Sequence, residues 1–190
     1  MYDDFKKTVS NVLRAGVSCT THENRILAVK FLKDHPNVLL SAGWDNTVIL
    51  WDMRTKSSSG QIIGPQVYGE ALDCQGNYIL TGNSREEDQI QIFDIRTLKS
   101  VTALNWNTNP EANKKAYIYT AQFSKYNDEF IGAGSTGLNE MKILDNQQSY
   151  QVKQVFYKKD RAILCLDFFN LINKFVYCGS RGLLGIVTSF

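Results

Sequence analysis

The strand ending Trp51-Asp-Met-Arg-Thr55 returns as Phe93-Asp-Ile-Arg-Thr97, from position 51 to position 93, a spacing of 42. A fainter copy, Leu144-Asp145, follows 51 residues after Phe93. Internal repetition constrains a fold more than local propensity does, because each copy buries its apolar face only against its neighbours. A short strand-like segment precedes each ending: Ala28–Phe31 (AVKF), Ala71–Cys74 (ALDC), Thr120–Phe123 (TAQF) and Cys165–Phe168 (CLDF). Next come Val38–Ala42, Tyr78–Gly82, Phe130–Gly134 and Phe175–Gly179, each an apolar run closing on small residues. Four units of about 42 to 51 residues, each with several short strands, match the period of a propeller blade. The expected class is all-β, a β-propeller of about four blades, each a four-stranded antiparallel sheet.

The first unit is the sharpest. Val38–Thr55 reads VLLSAGWDNTVILWDMRT, two apolar strands around the polar turn Gly43-Trp44-Asp45-Asn46. Asp and Asn suit that turn because their side chains bond nearby backbone. On these residues the chain resembles the WD40-repeat β-propellers, and the likeness extends over nearly all of it. The resemblance implies a structural tetrad in this unit: His22 before the first strand, Ser41 in the second, Asp45 in the turn and Trp51 in the third. A buried indole N–H and a buried imidazole both need partners, so the chemistry agrees. The later units depart from the motif. Phe93, Leu144 and Ser189 stand at the Trp position, and none of these units has a His where the first has His22.

The repeats run approximately 4–52, 53–94, 95–145 and 146–190, each opening on an outer strand: Thr8–Arg14, Gly60–Ile63, Ser100–Leu104 and Gln151–Phe156. Tyr2-Asp3 resembles a degenerate Trp-Asp ending, and Ser189-Phe190 stops in the same phase. Three arrangements follow. The chain is part of a longer or composite array, it pairs edge to edge with another chain, or it closes on itself with Thr8–Arg14 completing the last blade. Bare sheet edges are what soluble proteins avoid.

Composition excludes several classes. A net charge of +2, from 21 basic and 19 acidic residues, gives no strong attraction to nucleic acid or membrane. No segment approaches the roughly 20 apolar residues that span a bilayer, and MYDDFKKTVS lacks the apolar core of a signal peptide. Cys19, Cys74, Cys165 and Cys178 show no C-x-x-C spacing, and three of the four lie in apolar strand-like runs. Buried reduced thiols in the cytoplasm are the expectation.

Chemistry-bearing motifs are sparse. Gly132-Ala-Gly-Ser-Thr-Gly137 fits G-x-G-x-x-G, but a strand and not a helix follows, with no acid about 20 positions on. It reads as a glycine-rich blade turn. His22 and His35 are the only histidines, without a Cys or carboxylate cluster, so no metal site and no cofactor is expected. No nucleophile elbow, P-loop or H-E-x-x-H occurs, and no catalytic residue is assigned. Arg54 and Arg96 are expected to bond their own Asp or backbone within the blade.

Function is then expected in loops. One propeller face would gather Trp44, Arg85, Trp106, Lys114, Lys115, Lys158, Lys159 and Arg181, with Asn105–Lys115 as the longest irregular insertion. Trp and Arg are common interface anchors. On the opposite face the apolar loop Phe169-Asn-Leu-Ile-Asn173 offers Phe169, Leu171 and Ile172. The family resemblance implies a non-catalytic scaffold contacting other proteins in a multi-subunit complex, with no small-molecule substrate. Cytoskeletal or ciliary assemblies are one setting, by family abundance alone. The alternative is a nucleic-acid or phospho-ligand reader using the Lys/Arg/Trp face.

Overall fold

The computed structural model describes residue 13 and residues 20–106, 115–126, 129–157 and 160–188. Among them, four antiparallel sheets follow one another along the chain. The first holds β1 (Ile26–Phe31), β2 (Val38–Gly43), β3 (Thr47–Asp52) and β4 (Ser57–Ile63). The second holds β5 (Leu72–Gln75), β6 (Tyr78–Gly82), β7 (Ile90–Asp94) and β8 (Lys99–Leu104). The third holds β9 (Tyr117–Phe123), β10 (Phe130–Thr136), β11 (Glu140–Asp145) and β12 (Gln151–Tyr157). The fourth has three described strands, β13 (Ile163–Phe168), β14 (Phe175–Gly179) and β15 (Leu183–Val187), with a single 3-10 turn at Ser180–Gly182. Its expected outer strand, Thr8–Arg14, lies outside the described residues apart from Leu13. Each sheet is a meander in chain order, and the whole is a four-blade all-β propeller.

The repeated Asp-x-Arg has a local cause. Asp52 closes β3, and its Oδ1 accepts the Arg54 backbone N–H at 2.8 Å, forming an Asx turn. The Arg54 guanidinium folds back on the same carboxylate, Nη2 to Oδ2 at 2.8 Å. Asp94 and Arg96 repeat both bonds at 2.8 and 2.6 Å. Hydrogen bonds from these arginines hold both carboxyls down at about 2. Lys56 and Leu98, at φ 58° and 57°, then turn the chain into the outer strand.

The sheets stack face to face. One apolar core runs through the first three sheets, including Leu40, Val48, Leu80, Ile92, Ile118 and Ile131. A second core joins the third to the fourth through Met141, Ile143, Leu166, Phe168, Phe175 and Tyr177. This stacking corrects the reading of Gly132–Gly137 as a turn. β10 runs through Thr136, and only Gly137 of that stretch, at φ 84°, belongs to the turn. Gly132 is small because a Cβ there would sit 2.9 Å from the Phe168 ring across the sheet interface.

Strand pairing corrects two further alignments. Phe175 pairs with Phe168 and Val187, as Leu39 pairs with Phe31 and Trp51, and as Ile131 pairs with Phe123 and Leu144. Phe175 therefore takes the place of Leu39, one residue earlier in the run than the closing glycine suggests. Val187, and not Ser189, occupies the Trp51 position in the fourth unit.

The cysteine expectation is also revised. Cys74, Cys165 and Cys178 are free, but Cys178 is exposed and the other two are half-buried, while Cys19 lies outside the described residues. Cys165 and Cys178 face each other across β13 and β14. Burial and the adjacent Glu70 carboxylate push the Cys165 thiol up to about 12, which keeps it protonated.

Candidate functional site

Beneath the loop face of the first sheet lies a continuous polar chain. The Trp51 indole N–H donates to Ser41 Oγ at 2.7 Å. Ser41 Oγ is 2.6 Å from His22 Nε2, and His22 Nδ1 is 2.7 Å from Asp45 Oδ2. A neutral imidazole protonated at Nδ1 satisfies every member: Trp51 donates to Ser41, Ser41 to His22, and His22 to Asp45. Asp45 also accepts the Glu23 backbone N–H at 2.9 Å and the Thr47 hydroxyl at 2.8 Å. Burial would raise its pKa, yet the bonds from Thr47 and His22 outweigh that and hold the carboxyl below its ordinary value. Asn46, at φ 58°, turns the chain directly after Asp45. These groups bond one another, and through Asp45 and its bond to the Glu23 N–H they tie the segment before β1 to the β2–β3 turn that carries Trp44.

That edge carries the aromatic and cationic groups. The Arg25 guanidinium lies 5.1 Å over the Trp44 ring, and the Tyr68 ring centroid is 5.3 Å from that of Trp44, with the two rings tilted by 37°. The Trp44 backbone N–H donates to Arg25 O at 3.0 Å, which pins the loop before β1 to the β2–β3 turn. Arg85, on the neighbouring turn of the second sheet, is exposed and reaches Gly64 O at 3.5 Å. Farther round, Lys115 is paired with Glu86. Arg181, at φ 55°, projects into solvent 3.7 Å from Asp160. Arg25 and Tyr68 escape sequence reading, since nothing local marks either as a neighbour of Trp44.

Trp106 does not join this surface. It is only 3% exposed, wedged between the second and third sheets. Its backbone N–H donates to Gln89 Oε1 at 2.8 Å and its indole N–H to Glu140 Oε2 at 3.1 Å. Lys142 Nζ reaches Trp106 O at 2.5 Å and lies 4.6 Å over the ring. Burial pushes the Lys142 ammonium below its ordinary pKa. Trp106 is an internal clamp, because three polar groups on two sheets satisfy its polar atoms. Lys114, Lys158 and Lys159 lie outside the described residues. Phe169, Leu171 and Ile172 are exposed in the β13–β14 loop, so that loop does not fold back onto its own sheet.

At the opposite end, a cavity of about 290 Å³ opens among β1, β5 and β9, lined by Lys30, Lys33, Asp34, Asp73, Ser124 and Lys125. Asp73 is its hub. It pairs with Lys30 of the first sheet at 2.9 Å and accepts the Phe123 backbone N–H of the third sheet at 3.0 Å. One buried carboxylate thus ties three sheets together. Among the described residues no group of three or more His, Cys, Asp or Glu is placed to hold a metal ion. No helix among them is long and apolar enough to cross a membrane.

Comparison with known proteins follows the same pattern. Residues 15–52 match the family model described as "WD domain, G-beta repeat". A nuclear distribution protein, nudF from Aspergillus niger, is 26% identical over 131 residues, covering 60% of this chain and 29% of that protein. The chain thus spans under a third of that relative's length. Among solved structures, the computationally designed Ika4 protein is similar with a TM-score of 0.69 at 20% identity, covering 90% of this chain and 94% of that one. The structure of U3-55K is similar with a TM-score of 0.72 at 15% identity, covering 93% of this chain but 50% of that one.

Proposed function

We propose that this chain, a WD40-type β-propeller whose first blade carries the repeat motif, is a non-catalytic scaffold for protein–protein contacts in a larger assembly. The observation that carries the reading is the Arg25–Trp44–Tyr68 cluster, held at a fixed position above the His22–Asp45 pair and flanked by Arg85. Preorganised aromatic and guanidinium groups at a loop edge are the composition of interface hot spots. The Trp44 indole N–H is buried, so the ring is seated in the edge and does not swing free of it. A protein partner supplies backbone carbonyls and carboxylates that match the exposed Arg25 and Arg85 guanidinium groups.

Likeness to a nuclear distribution protein supports a cytoskeleton-related, cytoplasmic setting for the assembly. The test is affinity purification of the full chain with quantitative mass spectrometry, wild type against Trp44→Ala/Arg85→Ala. The reading predicts protein partners that are lost from the variant while its circular dichroism and melting temperature hold. Partners that are nucleic acids, released by nuclease and by modest salt, would overturn it.

A further inference from the structure

Sheet stacking in this chain is directional. Each sheet turns to its successor an apolar pair on its third strand: Val48 and Leu50, then Ile90 and Ile92, then Met141 and Ile143. The first of each pair stands opposite Ala42, Gly82 or Gly134, the second opposite Leu40, Leu80 or Gly132. All six are at most 7% exposed, sealed by the following sheet. The same register in the fourth sheet gives Leu184 opposite Cys178 and Ile186 opposite Val176. These two are 74% and 64% exposed.

The rear faces show the complementary break. Leu72, Ala121 and Leu166 occupy one station on the first strands and are buried. Their counterpart in the first sheet, Val29, is 58% exposed. Phe31, the counterpart of the buried Phe123 and Phe168, is exposed to the same degree. Among the described residues, no packing like that between the other neighbours joins the fourth sheet to the first. The chain therefore bares the front of its fourth sheet and, on the rear of its first sheet, the first-strand residues Val29 and Phe31, while Ile49 and Trp51 of the third strand are buried on that face. Apolar surface of this kind on a folded protein marks an association site.

We propose that a second copy of the chain covers both faces, head to tail. The front of one copy's fourth sheet packs on the rear of the other's first sheet, twice over, closing eight blades about a two-fold axis. Lys30 and Asp73 occupy equivalent positions on successive sheets, opposite Leu40 and Leu80, and form an ion pair. Asp167, opposite Val176, holds that position in the fourth sheet and is paired with Lys125 of its own chain, so the pairing of copies rests on the apolar faces and their matching register.

The experiment is sedimentation equilibrium of the full chain, together with two surface variants. Wild type is expected at twice the 21.5 kDa chain mass. Leu184→Asp/Ile186→Asp and Val29→Asp/Phe31→Asp are each expected at the monomer mass, with unchanged circular dichroism. Mixed one to one, they regain a two-chain species, because one junction is intact in that pair. If either variant unfolds, amide exchange of wild type on dilution decides instead, with β1 and β15 losing protection together as the dimer dissociates. A wild-type monomer overturns the proposal and leaves a different WD40 chain or further blades as the occupant. A dimer that survives the Val29/Phe31 substitution makes the contact front to front and also overturns it, as does an open polymer.

Discussion

Gly134 in β10 and Ile163 in β13 meet so closely that a Cβ on the glycine would lie 2.4 Å from Ile163 Cγ2. Backbone-to-side-chain approach of this kind sets the distance between the third and fourth sheets. Gly134→Ala overfills that interface, and the expected loss is about 1–3 kcal/mol, measured by urea unfolding. Gly76→Ala, where no atom lies within 4 Å but φ is +53°, is the control for backbone strain alone. Equal unfolding midpoints for Gly134→Ala and wild type would show that the sheets do not touch there.

Trp51 is buried and donates to Ser41, which in turn contacts His22. Trp51→Ala is expected to lose about 3–5 kcal/mol of stability, and Ser41→Ala about 1–3 kcal/mol, because two buried groups lose a partner. Calorimetric or denaturant melting of both variants checks this. A change within about 0.5 kcal/mol for Trp51→Ala would put the indole at the surface.

These two sites show how far the sequence was legible. The first sheet could be read residue by residue, because its polar groups sit at spacings that only mutual hydrogen bonding explains. The other sheets were visible as rhythm. Glycine signals a turn in isolation, and that signal misplaced Gly132 and Gly134, whose smallness answers to Phe168 and Ile163 on another sheet. Trp106 looked like a surface anchor because Glu140 and Lys142, which bury it, lie more than 30 positions away. The fourth sheet was misaligned because Cys178-Gly179 imitates the small-residue ending of the earlier runs, and only strand pairing fixes Phe175 at its station. Arg25 and Tyr68 had no local signature at all.

Asp73 links three sheets, so its removal acts beyond its own strand. Asp73→Ala leaves the Phe123 N–H without its side-chain acceptor and Lys30 without its nearest carboxylate. The expected loss is about 1–3 kcal/mol. Lys30→Met, which removes the half-exposed partner and keeps the stem, is expected to lose less. Chemical denaturation of the two variants side by side reads the order, and a larger loss for Lys30→Met would contradict it.

Acid should weaken the fold through carboxylates whose folded pKa is depressed. Asp45 lies below its ordinary 3.8, and Asp52 and Asp94 lie at about 2. Groups shifted this way contribute stability that is fully present above the unfolded value and lost as pH falls through the folded one. The melting temperature is expected to be insensitive to these groups above about pH 5 and to fall between about pH 4 and 2. Asp45→Asn should start lower at neutral pH and fall less steeply in that window. A parallel decline in both proteins would contradict the bonding assigned to Asp45.

The central claim is that four similar sheets stand face to face in succession, each sealed by the next until the fourth. Amide hydrogen exchange resolved strand by strand tests it most directly, at a concentration where sedimentation shows single chains. The account predicts that β2, β6 and β10, each covered on the side facing its successor, exchange slowly and to a similar degree, and that β14 exchanges faster. Protection confined to the first sheet, with β6 and β10 exchanging as fast as loops, would contradict it.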